Sequence, residues 1–491
     1  MQRQEQVTGV AAAMTTVAMG LGSAVAVGDL RILSANISLV REGLGFSPGT
    51  TIFVSSLATL TLAASVLGAG VLGDRYGMRR MFLAGAWATV VFGLFGAAAP
   101  NVGVLMIARA GIGVAFAFLT GLSLAVMNAV FPPERRAGAI AWYLAAVYAF
   151  GVLPATVGGL LAEQIGWRAG LLVTPVLAVL VAAITLRYVP ETLATHRRTD
   201  IPGLLLVAVA LLGITYGISE LQSGADFAAL APILAGGLAA AAFVWWERRC
   251  DDPALDLRIF GSGRFKAVVI AGAASNVVQG GSMVMVTFYL VVIRDQSTWM
   301  VALLLIPATL LCAPVAVAAG RAAARVGEGA VVIAGLVLLA VSLLVRLAFS
   351  TSTPIAVVAV VIGLTVIGGA IIQTPQATVM MASAPTSLGG VVSAVKATVG
   401  ATFHGLGTAL FAMFGILLFL RDADDALAGS GIDVREVGAD PAQVDWLVDR
   451  ATGSLLGAAD TLNVVMATVP VAAAVAVAVL FRRAGSGRSA T

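Results

Sequence analysis

The stretch GVLGDRYGMRR, residues 70–80, is a short charged segment between two long apolar runs. Its charged side chains and its glycines are Asp74, Arg75, Arg79, Arg80, Gly70, Gly73 and Gly77. Charged side chains are expensive to place in hydrocarbon, so a segment with this charge density must face water. The stretch therefore predicts a turn at a membrane surface, with a membrane-spanning helix on each side of it.

The composition of the whole chain indicates the same class of protein. Its 491 residues are 59% hydrophobic and only 11% charged, with a mean hydropathy of +1.00. Apolar windows of about 20 residues recur, which is the length that a helix needs to cross a bilayer. Because backbone groups in lipid must bond to one another, we expect an all-α integral membrane protein. The arginines are scattered over short loops, so we expect no nucleic-acid partner.

Fourteen apolar segments are long enough to be membrane-spanning helices. Their approximate limits are 11–40, 51–72, 81–99, 102–131, 139–161, 169–187, 201–221, 227–246, 266–293, 299–320, 330–349, 354–382, 391–420 and 461–481. The leading MQRQEQVTGV has no typical cleavage site, so we expect the first segment to be a retained span. The two cysteines, one in a polar loop and one in an apolar run, predict no disulfide.

Positive charge is concentrated in the loops that follow the even-numbered segments. These loops and the tail carry Arg75, Arg79, Arg80, Arg135, Arg136, Arg197, Arg198, Arg248, Arg249, Arg258, Arg264, Lys266, Arg321, Arg325, Arg482, Arg483 and Arg488. The longest of the other loops, 421–460, is rich in aspartate. The positive-inside rule then places both termini in the cytoplasm and the acidic loop outside the cell membrane.

Two polar interruptions, 187–200 and 247–266, divide the chain. They predict an amino-terminal six-helix bundle over 1–190, an inserted helix pair with its linkers over 191–264, and a carboxy-terminal six-helix bundle over 265–491. Two bundles of six suggest a carrier whose halves rock about a substrate site near the middle of the membrane.

Several further motifs occur in a characteristic order. They are IARAGIGVAF (107–116), GGLLAEQIGWR (158–168), PET (190–192), DIPG (200–203) and DPALDLRIF (252–260). Together with residues 70–80 they resemble the fourteen-span drug:proton antiporter branch of the major facilitator superfamily. The resemblance covers nearly the whole chain and implies that fold. It also implies export of small organic compounds, drugs or toxic metabolites, in exchange for protons, as in antibiotic resistance.

Two departures from the family pattern bear on this expectation. Pro154 stands one residue earlier than in the antiporter signature, and Leu153 replaces a glycine. The second copy of the charged loop, GRAAARVGEG (320–329), has no aspartate. One alternative is therefore an exporter of the same fold that is not coupled to protons, or that exports lipids or metabolites. Another is a membrane sensor or scaffold that does not transport.

Asp29 is the carboxylate that lies deepest within a predicted span, and an ionised Asp there costs on the order of 2.5–3.5 kcal/mol on insertion scales. We expect it to carry the coupling proton, or else to lock the first helix in a structural ion pair. Arg109, in the fourth span, is its expected partner, unless it binds backbone carbonyls. Arg31 lies about 200° around the helix from Asp29 and so faces another way.

The thirteenth segment carries His404 and Lys396. His404 can titrate near neutral pH and assist proton movement, or it can be a satisfied hydrogen-bonding residue. Lys396 lies near the cytoplasmic end, and we expect it to snorkel to the membrane surface.

The family architecture implies that spans nine and twelve line the cavity of the second bundle. Candidate substrate-binding residues are Arg31, Asn36, Asn276, Gln279, Met283, Tyr289, Gln373, Gln376 and Met380. Amides with methionines suit an adaptable pocket for amphipathic organic molecules, but small and amide side chains also hold helices together.

The resemblance gives residues 70–80 the role of a conformational latch between the bundles, although Asp74 can also simply cap a helix. No Walker loop, HExxH or nucleophile elbow occurs, so we expect no enzymatic activity. We expect no cofactor and no metal, and the proton gradient as the energy source. The expected partners are a small organic substrate, protons and the lipid bilayer, with the protein a monomer.

Overall fold

The computed structural model describes residues 9–46, 48–192, 200–220, 227–250, 257–296, 298–383, 388–427 and 441–486. Within these ranges the chain is helical and contains no β-strand. The long helices are α1 (Gly9–Leu44), α2 (Pro48–Tyr76), α3 (Met78–Ala97), α4 (Val102–Val130), α5 (Pro133–Gln164), α6 (Trp167–Tyr188), α7 (Ile201–Glu220), α8 (Phe227–Glu247), α9 (Gly263–Thr287), α10 (Thr298–Val326), α11 (Glu328–Val345), α12 (Ile355–Ala382), α13 (Gly389–Leu427) and α14 (Pro441–Ser486).

Each of these helices contains a stretch long and apolar enough to cross a membrane. The prediction of an all-α membrane protein with 14 spans is therefore confirmed. Short 3-10 turns at 257–261 and 346–348 and a π-helical turn at 288–293 complete the described secondary structure.

The segment predicted as an acidic loop, 421–460, differs from expectation. Residues 421–427 continue α13 and 441–460 belong to α14, while 428–440 lie outside the described residues. The prediction of a loop was wrong for the described parts. A helix makes its hydrogen bonds within its own backbone, so it can continue beyond the hydrocarbon without apolar side chains. The predicted limits, 391–420 and 461–481, followed the apolar residues alone.

The helices pack mainly within two groups. In the first, α1 contacts α4, α5 and α6, and α4 contacts α2 and α3; in the second, α9 contacts α12, α13 and α14, and α12 contacts α10 and α11. The helices α7 and α8 pack on each other through glycines: a Cβ on Gly217 would lie 2.6 Å from the carbonyl oxygen of Ala229. This pair also contacts α2 and α13. The division into two six-helix bundles and an inserted helix pair stays a prediction.

The two groups meet at one end of the molecule. We call the end at which α1 begins and α14 ends the terminal face, and the other end the opposite face. Here α2 packs on α13, and a Cβ on Gly70 would lie 2.5 Å from the carbonyl oxygen of Gly390. Likewise α10 packs on α5, and a Cβ on Gly320 would lie 2.8 Å from Cβ of Ala141. The bundles are therefore closed together at the terminal face.

The turn between α2 and α3 depends on Gly77, whose φ of 99° lies in the region that favours glycine. We expect Gly77→Ala to destabilise the protein by about 1–3 kcal/mol, since a side chain there is strained. A Cβ would also stand 3.1 Å from Oε1 of Glu191. The measurement is the thermal unfolding midpoint in detergent. Gly138→Ala is the control, because that helical position has open space around it; equal midpoints for the two variants would contradict the assignment.

Candidate functional site: a buried ion pair and a closed interface

Asp29 lies at the junction of three helices of the first bundle. Nη1 of Arg109, on α4, donates to Oδ2 of Asp29 at 2.6 Å, and Oγ1 of Thr174, on α6, donates to Oδ1 at 2.7 Å. The Asp29 side chain is 1% exposed and that of Arg109 is 4% exposed. Because both carboxylate oxygens accept a hydrogen bond, the ion pair is well satisfied on its acidic side.

The guanidinium of Arg109 is less completely satisfied. Its Nε and Nη2 atoms are buried and have no hydrogen-bond partner within the described chain. Each buried donor without a partner costs roughly 1–3 kcal/mol. The structure thus places Arg109 on the carboxylate of Asp29 and not on backbone carbonyls, and it leaves two donors that can take another acceptor.

Arg31 lies on the other side of α1. Its side chain is exposed, whereas Asp29 two residues earlier is buried, so the two charges face apart as the helical geometry predicts. The charge of Arg31 acts on the imidazole of His404, on α13, and the His404 side chain is exposed as well. These two residues therefore lie near each other, one in each bundle. Asn36 is buried and donates to the carbonyl oxygen of Ile32 in its own helix.

In the second bundle, Lys396 is paired with an amide. Its Nζ donates to Oε1 of Gln373, on α12, at 2.7 Å. The expectation that Lys396 snorkels to the surface was wrong. It lies about 10 Å along α13 from the start of that helix, and an acceptor on the neighbouring helix holds it inside the bundle.

The other glutamines of the candidate pocket pack against glycines. A Cβ on Gly272 would overlap the amide of Gln376, and a Cβ on Gly369 would stand 2.6 Å from Nε2 of Gln279. Gln376 is buried, with its Oε1 unpartnered in the described chain, and Gln279 donates to Oγ of Ser275. These contacts are helix packing.

The remaining candidates do not gather in one pocket. The Tyr289 hydroxyl donates to the carbonyl oxygen of Ser350 at the opposite face, and its ring packs on Phe349. Met380 is fully buried, Asn276 donates to the backbone of its own helix, and Met283 is 43% exposed. Of the nine substrate-binding candidates, Arg31 and Met283 have exposed side chains. Their substrate-binding role stays a prediction.

Two buried polar residues were not predicted from the sequence. Thr174 donates the second hydrogen bond to the Asp29 carboxylate. A threonine in an apolar helix has no sequence feature that would have predicted this contact. Arg346 is buried near the end of α11, and its Nη2 donates to Oγ1 of Thr365 at 2.7 Å. Arg346 could have been singled out from the sequence, because it is a charged residue within the apolar run LLVRLAF.

The loop at 70–80 joins the two bundles through Asp74. The backbone N–H of Gly390 donates to Oδ1 at 2.8 Å, and the N–H of Val391 donates to Oδ2 at 3.1 Å. These donors belong to the first turn of α13, where the helix dipole favours an anion. Asp74 therefore caps a helix of the second bundle, not α3, whose N-cap position is occupied by Gly77.

The rest of this loop is tied to its own bundle. Arg79 and Arg80 form ion pairs with Glu191, and Oγ1 of Thr192 accepts the N–H of Met78 at 2.7 Å. A Cβ on Gly73 would overlap the side chain of Leu122, so this glycine allows α2 to approach α4. Gly70 and Asp74 reach across to the second bundle, and the Met78 side chain approaches Gly389 there. The latch role of the loop stays a prediction.

The described residues offer no metal centre: no three His, Cys, Asp or Glu side chains there gather into a set that could ligate an ion. The chemistry of the site is that of a buried ion pair, a space between two bundles, and a closed interface at one face.

The model of the Major Facilitator Superfamily matches residues 19–412, and the chain belongs to that superfamily. It is 28% identical over 409 residues to the multidrug resistance protein Stp of Mycobacterium tuberculosis, covering 82% of this chain and 75% of Stp. It is 27% identical over 476 residues to the multidrug efflux pump LfrA of Mycolicibacterium smegmatis, covering 93% of each.

A solved structure shares the fold. The proton:xylose symporter XylE superimposes with a TM-score of 0.59 at 16% identity, covering 91% of this chain and 94% of XylE. The chain is therefore a multi-pass membrane protein of a transporter family.

Proposed function

We propose that this protein exports small organic compounds by alternating access, in exchange for protons, with Asp29 as the proton carrier. The observation that carries the proposal is the buried ion pair of Asp29 and Arg109 within a chain related to efflux pumps. An ionisable pair inside membrane helices is expensive, and in transporters such groups mark proton pathways. No cofactor is required, and the proton gradient supplies the energy.

The coupling follows from the contacts of the pair. Protonation of Asp29 removes the negative charge that holds Arg109, so the ion pair weakens when the proton binds. The guanidinium, which already has two unpartnered donors, can then turn to another acceptor. The loss of this contact between α1 and α4 alters the packing of the helices that face the substrate space. Deprotonation restores the pair and the arrangement described above.

The orientation in the membrane follows from charge at the two faces. The terminal face carries Arg135, Arg136, Arg248, Arg249 and Arg325, which the positive-inside rule assigns to the cytoplasm. The protein then sits in the cell membrane as a monomer with both termini inside. The closed terminal face is then the cytoplasmic side.

The test is transport in liposomes with a pH gradient. Purified protein is reconstituted, and the movement of a cationic, an anionic and a neutral dye is followed with and without the gradient. We expect accumulation of at least one dye that requires the gradient and collapses when a protonophore is added. Transport that does not depend on the gradient would instead identify an uncoupled exporter. In that case the ion pair and hydrogen bond of Asp29 would serve only the stability of the fold.

A further inference from the structure

Two cationic side chains at membrane depth have no carboxylate beside them in the part of the chain that the structure describes. Asp29 and Arg109 neutralise each other, so their pair brings no net charge to the space between the bundles. Arg31 and Lys396 form no ion pair within the described chain. Both lie on helices at membrane depth, where an unpaired cation is costly and where function is the expected reason for keeping it.

Arg31 reaches this space from the first bundle. It lies on an exposed stripe of α1 with Val27 and Leu39, away from the face that packs on α4, α5 and α6. The guanidinium lies close enough to His404, on α13 of the second bundle, for the two groups to interact electrostatically. Arg31 is therefore an exposed cation beside the second bundle, outside the packed face of α1.

Lys396 extends the positive charge toward the terminal face. It lies two helical turns before His404 on α13, which is about 12 Å along the helix. Its partner, Gln373, is a neutral amide, which accepts a hydrogen bond but cancels no charge. Lys396 thus lies nearer the closed terminal face than His404 does.

The neutral part of the lining suits an apolar body. Asn276 and Met283 both lie on α9, and Met283 is exposed. Asn276 approaches α13 beside Gly400, where a Cβ would stand 3.9 Å from its Oδ1. An exposed, flexible methionine and an exposed cation at membrane depth suit a molecule with an apolar part and an acidic group.

We propose that the preferred substrates are amphipathic organic acids, whose carboxylate or sulfonate is bound by Arg31 and attracted from further away by the charge of Lys396. The proposal rests on the proposed export function and names its substrate class. Guanidinium binds such an anion in a bidentate manner, and the ammonium adds a point charge deeper in the space. A lipophilic cation would meet two positive groups here and no free carboxylate among the described residues.

The test is equilibrium binding, which does not require transport. Purified protein in phosphatidylcholine nanodiscs is titrated with carboxyfluorescein and with tetramethylrhodamine methyl ester, two dyes with a common xanthene core and opposite charge. We expect the anionic dye to bind at least about tenfold more tightly, which corresponds to about 1.4 kcal/mol. Arg31→Gln should abolish this preference, and Arg31→Lys should keep most of it.

Arg325→Gln is the matched control, because it removes the same charge from an exposed position at the end of α10. The proposal is overturned if the cationic dye binds as tightly as the anionic one, or if Arg31→Gln and Arg325→Gln act alike. Displacement of the anionic dye by phosphatidylglycerol in the discs would overturn the assignment to organic acids in favour of a lipid headgroup. A failure of gradient-driven transport with this binding pattern intact would count against the export function alone.

Discussion

Asp29→Asn is expected to abolish gradient-driven transport and also to destabilise the fold. The variant leaves the buried guanidinium of Arg109 without its counter-ion, and removal of one partner of a buried pair costs about 3–5 kcal/mol. The double variant Asp29→Asn/Arg109→Gln removes both charges, so most of that stability should return. Transport driven by a pH gradient should not return, because no carboxylate remains to carry the proton.

The double variant separates the two roles that Asp29 can have. Thermal unfolding in detergent gives the stability of the single and double variants, and dye accumulation in liposomes gives their transport. If the double variant recovers both stability and gradient-driven transport, Asp29 is only a structural ion-pair residue. Thr174→Val is a useful companion, since it removes one hydrogen bond to the carboxylate at a cost of roughly 1.5–3 kcal/mol and keeps the proton carrier.

Gly70→Ala is expected to open the terminal face. Its new Cβ would stand 2.5 Å from the carbonyl oxygen of Gly390 across the interface between the bundles, a distance that requires the helices to part. Separation of α2 and α13 also breaks the two hydrogen bonds between Asp74 and the first turn of α13. Charge-assisted bonds of this kind contribute roughly 1.5–3 kcal/mol each, so the closed arrangement loses most of its population.

The population shift is measured as a distance between spin labels at the terminal face. Labels on Tyr76→Cys and Val326→Cys, in a background without Cys250 and Cys312, report the separation of α2 and α10. We expect a longer distance for Gly70→Ala. Gly68→Ala is the matched control, because a Cβ at that position of the same helix meets nothing within 4 Å. An unchanged distance in both variants would show that this contact does not hold the bundles together.

The membrane fold was predictable because its cause is local in the sequence. A helix that crosses a bilayer needs about 20 apolar residues, and each charged turn between two helices interrupts that run visibly. The segment 70–80 is such an interruption, and α2 ends and α3 begins within it. The ends of α13 and α14 were missed because a helix outside lipid needs no apolar residues.

The candidate site was predictable only where charge made a residue conspicuous. Asp29, Arg109 and Arg31 stand out in apolar segments, and the 200° between Asp29 and Arg31 follows from helix geometry. The hydrogen-bond partners of these residues were harder to predict. Lys396 and Gln373 meet because α13 packs on α12, and no local sequence pattern encodes that packing. Thr174 has no signal in sequence that distinguishes it from any hydroxyl in an apolar helix.

The measurement that tests proton antiport most directly is the proton flux that accompanies substrate movement. Liposomes that contain the protein and an internal pH dye are given a dye substrate on one side only, with no pH gradient at the start. We expect a proton movement opposite to the substrate movement, present in the wild type and absent in Asp29→Asn/Arg109→Gln. Substrate movement with no change in internal pH, or with protons moving in the same direction, would contradict it.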